Sequence, residues 1–128
     1  MSRVLVDSSV WIDYFNRHSA KSDALTDLID NNAICTNDLI LAELLPFIRH
    51  SGAAPLAALL LSVARLEMKV DWAEIIEMQS LNLKNGLNKI GIPDLIIMQN
   101  AIKSNVLLFS FDRHFSLMQK VHKFEMYQ

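Results

Sequence analysis

Short apolar runs alternate along the chain with longer stretches of helical spacing, a pattern that only a layered packing of strands and helices can bury. Residues 3–7 read as a buried strand, and Asn105-Val106-Leu107-Leu108-Phe109-Ser110-Phe111 reads as the strongest strand. Residues 33–36 and 68–70 are weaker strand candidates, and residues 122–127 are a candidate final edge strand. Helical patterns occupy residues 10–16, 22–30, 38–49, 55–66, 71–85 and 93–103, with a kink or break expected near Pro46. Asp71-Trp72-Ala73-Glu74 has the spacing of a capping box, and Pro93 suits a first helical position. Strand and helix in alternation predict an α/β fold with a mostly parallel central sheet flanked by helices.

The 128 residues suit a single domain, 1–128, that buries roughly two-thirds of its extended surface on folding. A content of 52% hydrophobic residues, with only three Gly and three Pro, excludes collagenous and disordered classes. The lone cysteine, Cys35, cannot close an internal disulfide, and the triplet Val4-Leu5-Val6 is too short for the apolar region of a signal peptide. Both point to a cytoplasmic protein, and no apolar run approaches a membrane span. The net charge of -2 gives no basic footprint. It does not decide the partner, because acidic residues gathered in one site leave the remaining surface more positive.

Four of the fourteen acidic residues sit in segments that should be buried. Asp7 closes Val4-Leu5-Val6, Glu43 interrupts Leu39-Ile40-Leu41-Ala42 and Leu44-Leu45, Asp94 precedes Leu95-Ile96-Ile97, and Asp112 closes the strongest strand. Asp7 and Asp112 can each cap a following helix, and Asp94 can favour a helix N-terminus through the dipole. Glu43 resists such an explanation, since its helix is apolar nearly all round and leaves little exposed face for a charge. A buried carboxylate must be paired, protonated or metal-bound. No Lys or Arg lies in the apolar runs beside Glu43 or Asp94. In open parallel sheets the ligand site lies beyond the carboxyl ends of the strands. Convergence there would set four like charges against one another unless a cation intervened. An all-oxygen donor set suits Mg²⁺ or Mn²⁺, and the absence of paired Cys and His argues against structural zinc.

Two other acidic-pocket folds fit poorly. A receiver domain needs paired acids at the first strand end and an Asp near mid-chain, whereas Ser8 and Ser9 follow Asp7 and no acidic residue occurs from Leu44 to Leu66. A haloacid-dehalogenase-like phosphatase needs a second Asp where Ser9 stands.

Val6-Asp7-Ser8-Ser9-Val10-Trp11-Ile12-Asp13 resembles the opening strand and turn of PIN-domain ribonucleases. The resemblance continues through Asp38-Leu39-Ile40-Leu41-Ala42-Glu43-Leu44, Ile92-Pro93-Asp94-Leu95-Ile96-Ile97 and Ser110-Phe111-Asp112-Arg113-His114-Phe115, in order and over essentially the whole chain. A stand-alone chain of this length is similar to the VapC-type toxins of toxin-antitoxin modules. The resemblance implies a PIN-like three-layer fold and a Mg²⁺- or Mn²⁺-dependent endoribonuclease, usually a homodimer, held inactive by a cognate antitoxin. It implies Asp7, Glu43, Asp94 and Asp112 as the catalytic, metal-binding quartet, with Asp7 and Asp94 the best direct ligands and Glu43 and Asp112 binding directly or through water. Ser110 stands where the family commonly has Thr or Ser, its hydroxyl placed to orient Asp112 or a water. Met98 and Gln99 depart from the small residues common there, which bears on helix packing. The competing readings are a non-catalytic PIN-like interaction module and a metal-dependent DNA nuclease, since nothing in the quartet reads a 2′-hydroxyl.

Lys84 and Lys89, in the polar loop before Asp94, and Arg113 and His114, beside Asp112, are candidate phosphate contacts, with surface solvation the competing role. His18, His50 and His122 have no paired ligand spacing, while Trp11, Phe15 and Trp72 suit the core and Cys35 a small buried position. The apolar run within 55–66, or the helix around Glu43, is expected to cover apolar surface against a second subunit or an antitoxin; burial within one chain is the competing role.

Overall fold

The computed structural model describes residues 3–16 and 19–128, so His18 lies outside the described residues. Three apolar residues, Val4–Val6, form β1 at the centre of the sheet. It pairs in parallel with β2 (Ile34–Thr36) on one side and with β4 (Leu107–Phe109) on the other. β3 (Ala64–Arg65) adds to β2, giving the all-parallel order β3-β2-β1-β4. Val4, Leu5 and Val6 are all buried, as expected of a strand covered on both faces. The chain first moves outward from β1 to β3 and later returns to β1's other edge. The direction of winding therefore changes between β1 and β4, where open parallel sheets make their binding crevice.

Among the described residues seven α-helices connect and cover the strands: α1 (Ser8–Asn16), α2 (Ala24–Asp30), α3 (Asp38–His50), α4 (Ala54–Ser62), α5 (Trp72–Lys84), α6 (Ile92–Ser104) and α7 (Arg113–Met118). A single turn of 3₁₀-helix precedes α2. Leu5, Trp11, Ile40, Leu44, Leu95, Met98, Leu108 and Phe115 are among the side chains of one core. No helix among the described residues is long and apolar enough to cross a membrane.

Several elements differ from the sequence reading. The stretch read as a helix over 55–66 stops at Ser62, and the extended backbone of Val63 leads into β3. Residues 68–70 form no strand. Leu66 N–H donates to Thr36 O at 2.8 Å, completing the short edge of β2, and α6 side chains bind the backbone that follows. The segment 122–127 makes only an isolated parallel bridge, between Leu108 and Met126. Asn105 leaves the ladder because it ends α6 in the left-handed region, at φ 53°, a conformation Asn tolerates. α3 runs through Pro46 without a break; Ala42, whose carbonyl loses its partner there, and Pro46 are both exposed, so water can satisfy it. Trp72 is 59% exposed, contrary to the core role expected of it, whereas Trp11 is fully buried. Cys35 is buried as expected, and burial pushes its thiol up to about 11. In α4 only Leu60 is fully buried, while Leu61 stays 48% exposed.

Buried amides lock the helices that carry the crevice. Asn37 caps α3 by accepting from Ile40 N–H at 2.9 Å, and its Nδ2 donates to Asn100 Oδ1 at 2.8 Å. Asn100 Nδ2 donates to Glu67 O at 3.0 Å, so one chain of bonds joins α3, α6 and the 66–70 connection. Asp71 accepts from Glu74 N–H as a capping residue, but Gln99 replaces the reciprocal half of the box: its Oε1 accepts from Asp71 N–H, and its Nε2 donates to Glu74 Oε1 at 2.6 Å. The long polar side chain thus ties α6 to α5. Asn37→Ala should cost about 2 kcal/mol, because it removes a cap and strands a buried amide. Urea unfolding can check this. Asn37→Ala and Asn100→Ala combined should cost less than their separate costs added, since the two share one bond.

Candidate active site

Asp7 directly follows β1 and Ser110 directly follows β4, and the pairing of Val6 with Phe109 brings the two side by side. Asp7 is 5% exposed. Its backbone N–H donates to Phe109 O at 2.9 Å, while its Oδ2 accepts from Ser9 Oγ at 2.9 Å and from Ser110 Oγ at 2.7 Å. Two hydroxyls therefore hold this carboxylate. Ser110 Oγ also accepts from Asp112 N–H, and Ser9 Oγ accepts from Phe111 N–H, both at 3.0 Å. The pair fastens the loop after β4 to the start of α1.

Asp112 caps α7, accepting from His114 N–H at 2.9 Å. Its structural role and its place in the crevice coexist. Asp94 enters from the first turn of α6, with a half-buried carboxylate 3.1 Å from His114 Nδ1. Glu43 reaches the crevice from α3, its Oε1 accepting from Ser8 Oγ at 3.4 Å. The residue as a whole is exposed, contrary to the buried position its apolar helix suggested.

Glu43 and Asp94 feel the neighbouring carboxylates. Partial burial raises the Glu43 pKa most, with the charges of Asp7 and Asp94 adding to the rise and the Ser8 hydrogen bond opposing it. Asp94 is likewise raised first by burial; the His114 hydrogen bond opposes this, and the Asp112 and Asp7 charges reinforce it. Among the described residues no Lys or Arg makes an ion pair with any of the four. Asp94, Asp112 and His114 each offer one ligand atom, and these atoms lie within 4.8 Å of one another. Converging hard oxygen donors without a basic partner fit a divalent cation.

The structure brings Lys89 and Arg113 together along a cavity of about 280 Å³ that His114 also lines, against the acidic crevice. Lys84 lies apart, in a groove with Glu74, Glu77 and His122. His122 Nε2 meets Asn82 Oδ1 at 2.7 Å, and burial lowers its pKa. Ser8, Ser9 and the contact of His114 with Asp94 went unread as site features in the sequence. The signal available was the adjacency of Ser8-Ser9 to Asp7 and of His114 to Asp112.

A family model for the PIN domain matches residues 4–121. The structure superposes on DNA-bound VapBC from Salmonella typhimurium with a TM-score of 0.75 at 12% identity, covering 99% of this chain and 98% of that one. VapBC2 from Rickettsia felis, bound to a DNA fragment from its promoter, gives 0.72 at 21% identity over 97% and 96%. VapC20 from Mycobacterium tuberculosis, a sarcin-ricin loop cleaving toxin, gives 0.62 at 20% identity over 89% and 93%. At these identities the likeness is one of fold. No curated protein sequence matches. With the family model spanning all four acidic positions, the chain belongs to the PIN domain family.

Proposed function

We propose that the protein is a divalent-metal-dependent endoribonuclease of VapC type, acting in the cytoplasm as the toxin of a type II toxin-antitoxin pair. The observation that carries this reading is the convergence of Asp7, Glu43, Asp94 and Asp112 where the sheet changes direction, with no Lys or Arg paired to them among the described residues. Fold alone does not give function, and the reading rests on that cluster within the family.

Asp7, Glu43, Asp94 and Asp112 would hold the metal, and the residues around them fix their positions. When bound, Mg²⁺ or Mn²⁺ supplies an acidified water and neutralises charge developing on the phosphate. Ser9 and Ser110 orient Asp7 with two donated hydrogen bonds, and Ser110 sets Asp112 through its backbone amide. Lys89 and Arg113 bind flanking phosphates of the RNA strand from the cavity beside the crevice. No protein side chain serves as the nucleophile; hydrolysis leaves the chain unmodified.

The exposed Phe47 on α3 and Leu61 on α4 suit partner contacts, with an antitoxin and with a second copy of the chain. Controlled expression followed by mapping of the new RNA ends, beside an Asp7→Asn control, tests substrate class and activity together. Discrete cuts that vanish in the control support the reading. Cleavage of DNA but not RNA would favour the DNA nuclease, and intact nucleic acid the non-catalytic module.

Phosphate contact by Lys89 and Arg113 makes a further prediction. RNA binding, measured by anisotropy on the Asp94→Asn protein, should weaken with salt, and Lys89→Ala and Arg113→Ala should each lower the log–log slope by about 0.7. Lys84→Ala, placed in the other groove, should leave the slope unchanged.

A further inference from the structure

Metal sites built only from carboxylates leave the choice among hard divalent ions to size, whereas one nitrogen donor biases the choice toward transition ions. The crevice contains such a nitrogen. His114 Nδ1 lies 3.1 Å from Asp94 Oδ2 and 3.6 Å from Asp112 Oδ1. In an octahedral shell with metal–ligand bonds of about 2.1 Å, neighbouring ligand atoms stand about 3.0 Å apart, because the edge is the bond length times the square root of two. The separation of imidazole and Asp94 is thus close to one edge of such a shell, and Asp112 stands about half an ångström beyond a second.

The ring is not a free surface side chain. Asp112 Oδ1 holds the His114 backbone N–H, which fixes the start of α7, and the side chain is only 33% exposed between carboxylates from two elements. Nδ1 points into the acidic crevice, the direction from which a ligand lone pair must act. With the ring proton on Nε2, that lone pair is available without any change in net charge.

We propose that His114 is a direct ligand of the divalent metal, making a mixed nitrogen and oxygen centre that takes Mn²⁺ in preference to Mg²⁺. This rests on the metal-dependent reading above and adds a fifth residue to the quartet. Imidazole gives little to Mg²⁺, which favours oxygen, but binds first-row transition ions well. Replacing His114 by Gln supplies an oxygen instead and should narrow the preference.

Electron spin echo envelope modulation on the full-length protein loaded with Mn²⁺ tests this without reference to catalysis. Wild-type protein should show ¹⁴N modulation from a coordinated imidazole, and His114→Gln should still bind Mn²⁺ but lose the modulation. Calorimetric titration should show the ratio of Mg²⁺ to Mn²⁺ dissociation constants falling about tenfold in His114→Gln, equal to about 1.4 kcal/mol. His122→Gln, remote from the crevice, should retain both properties. Bound Mn²⁺ without nitrogen modulation in the wild type would overturn the inference while leaving the metal-dependent nuclease intact, His114 then being a mere neighbour of the carboxylates. Modulation that persists in His114→Gln overturns it equally. Absence of Mn²⁺ binding to the wild type overturns the inference together with the metal-dependent reading, and the wild-type spectrum requires no variant to fold.

Discussion

Asp94→Asn should lower RNA cleavage at least about 10³-fold, equal to about 4 kcal/mol of transition-state stabilisation, while making the metal-free protein more stable at neutral pH. The loss follows from removing a charged oxygen donor from the cluster. The gain follows from the position of the same charge. Burial and the Asp112 and Asp7 charges raise the Asp94 pKa. The folded state therefore holds this proton more tightly than the unfolded chain does. Its contribution is fully present below the ordinary carboxylate value and is lost as pH rises through the raised value. Above the raised value the wild type bears the repulsion, and the amide, which can still bond His114, removes it. Thermal unfolding in chelator should give a higher Tm for Asp94→Asn than for the wild type at pH 7, with the difference closing toward pH 4. Asp7→Asn should lose cleavage similarly. A melting temperature that falls in Asp94→Asn, with no closing at acid pH, would show that the carboxylate is a structural group and not an uncompensated charge.

Where each charge sits in the apolar pattern decides what the sequence could reveal. Asp7 and Asp112 were legible because a charge ending an apolar strand has few places to go but the carboxyl edge of a sheet. Asp94 was legible from its place beside Pro93 at the start of a buried helix. Glu43 was found for a partly mistaken reason: its helix is apolar, but the residue is exposed. The contacts of His114 with Asp94 and of Ser9 with Ser110 were not legible, because these partners are distant in sequence. The contact between Ser9 and Ser110, 3.3 Å across 101 positions, exists only because β1 and β4 are neighbours in the sheet. Strand order is a property of packing, and no local pattern encodes it.

The misread elements share a different cause. β3 has two residues and α7 six, too short to display a period of their own. The apolar run into Leu66 looks continuous in composition, yet Val63 is extended so that Ala64 and Arg65 can pair with β2. Trp72 has helical spacing, but Ile75 and Asn82 define the buried face of α5 and leave the indole outside it. Gln99 looked like a departure confined to packing and does act there, joining α6 to the N-terminus of α5. By holding α6 in place it steadies Asp94, five residues back on the same helix.

Chelation should produce the other large effect: EDTA should abolish cleavage, and Mg²⁺ or Mn²⁺ should restore it. In the metal-free state neighbouring carboxylates help raise the proton affinity of Glu43 and Asp94, and no Lys or Arg among the described residues pairs with any of the four. A divalent cation relieves that repulsion only in the folded state, since the unfolded chain scatters the four residues. Binding must therefore stabilise the fold, by about 2.7 kcal/mol when the free ion stands at 100 times its dissociation constant. Tm should rise with metal concentration in the wild type and hardly at all in Asp94→Asn, so restored cleavage and thermal shift should disappear in the same variant. This pairing separates a site that needs its cation from an RNA that merely needs Mg²⁺ to fold, because the thermal shift is measured with no RNA present. Full cleavage in excess chelator would exclude the metal-dependent mechanism. A Tm indifferent to Mg²⁺ and Mn²⁺ in the wild type would mean that the four carboxylates do not form a cation site.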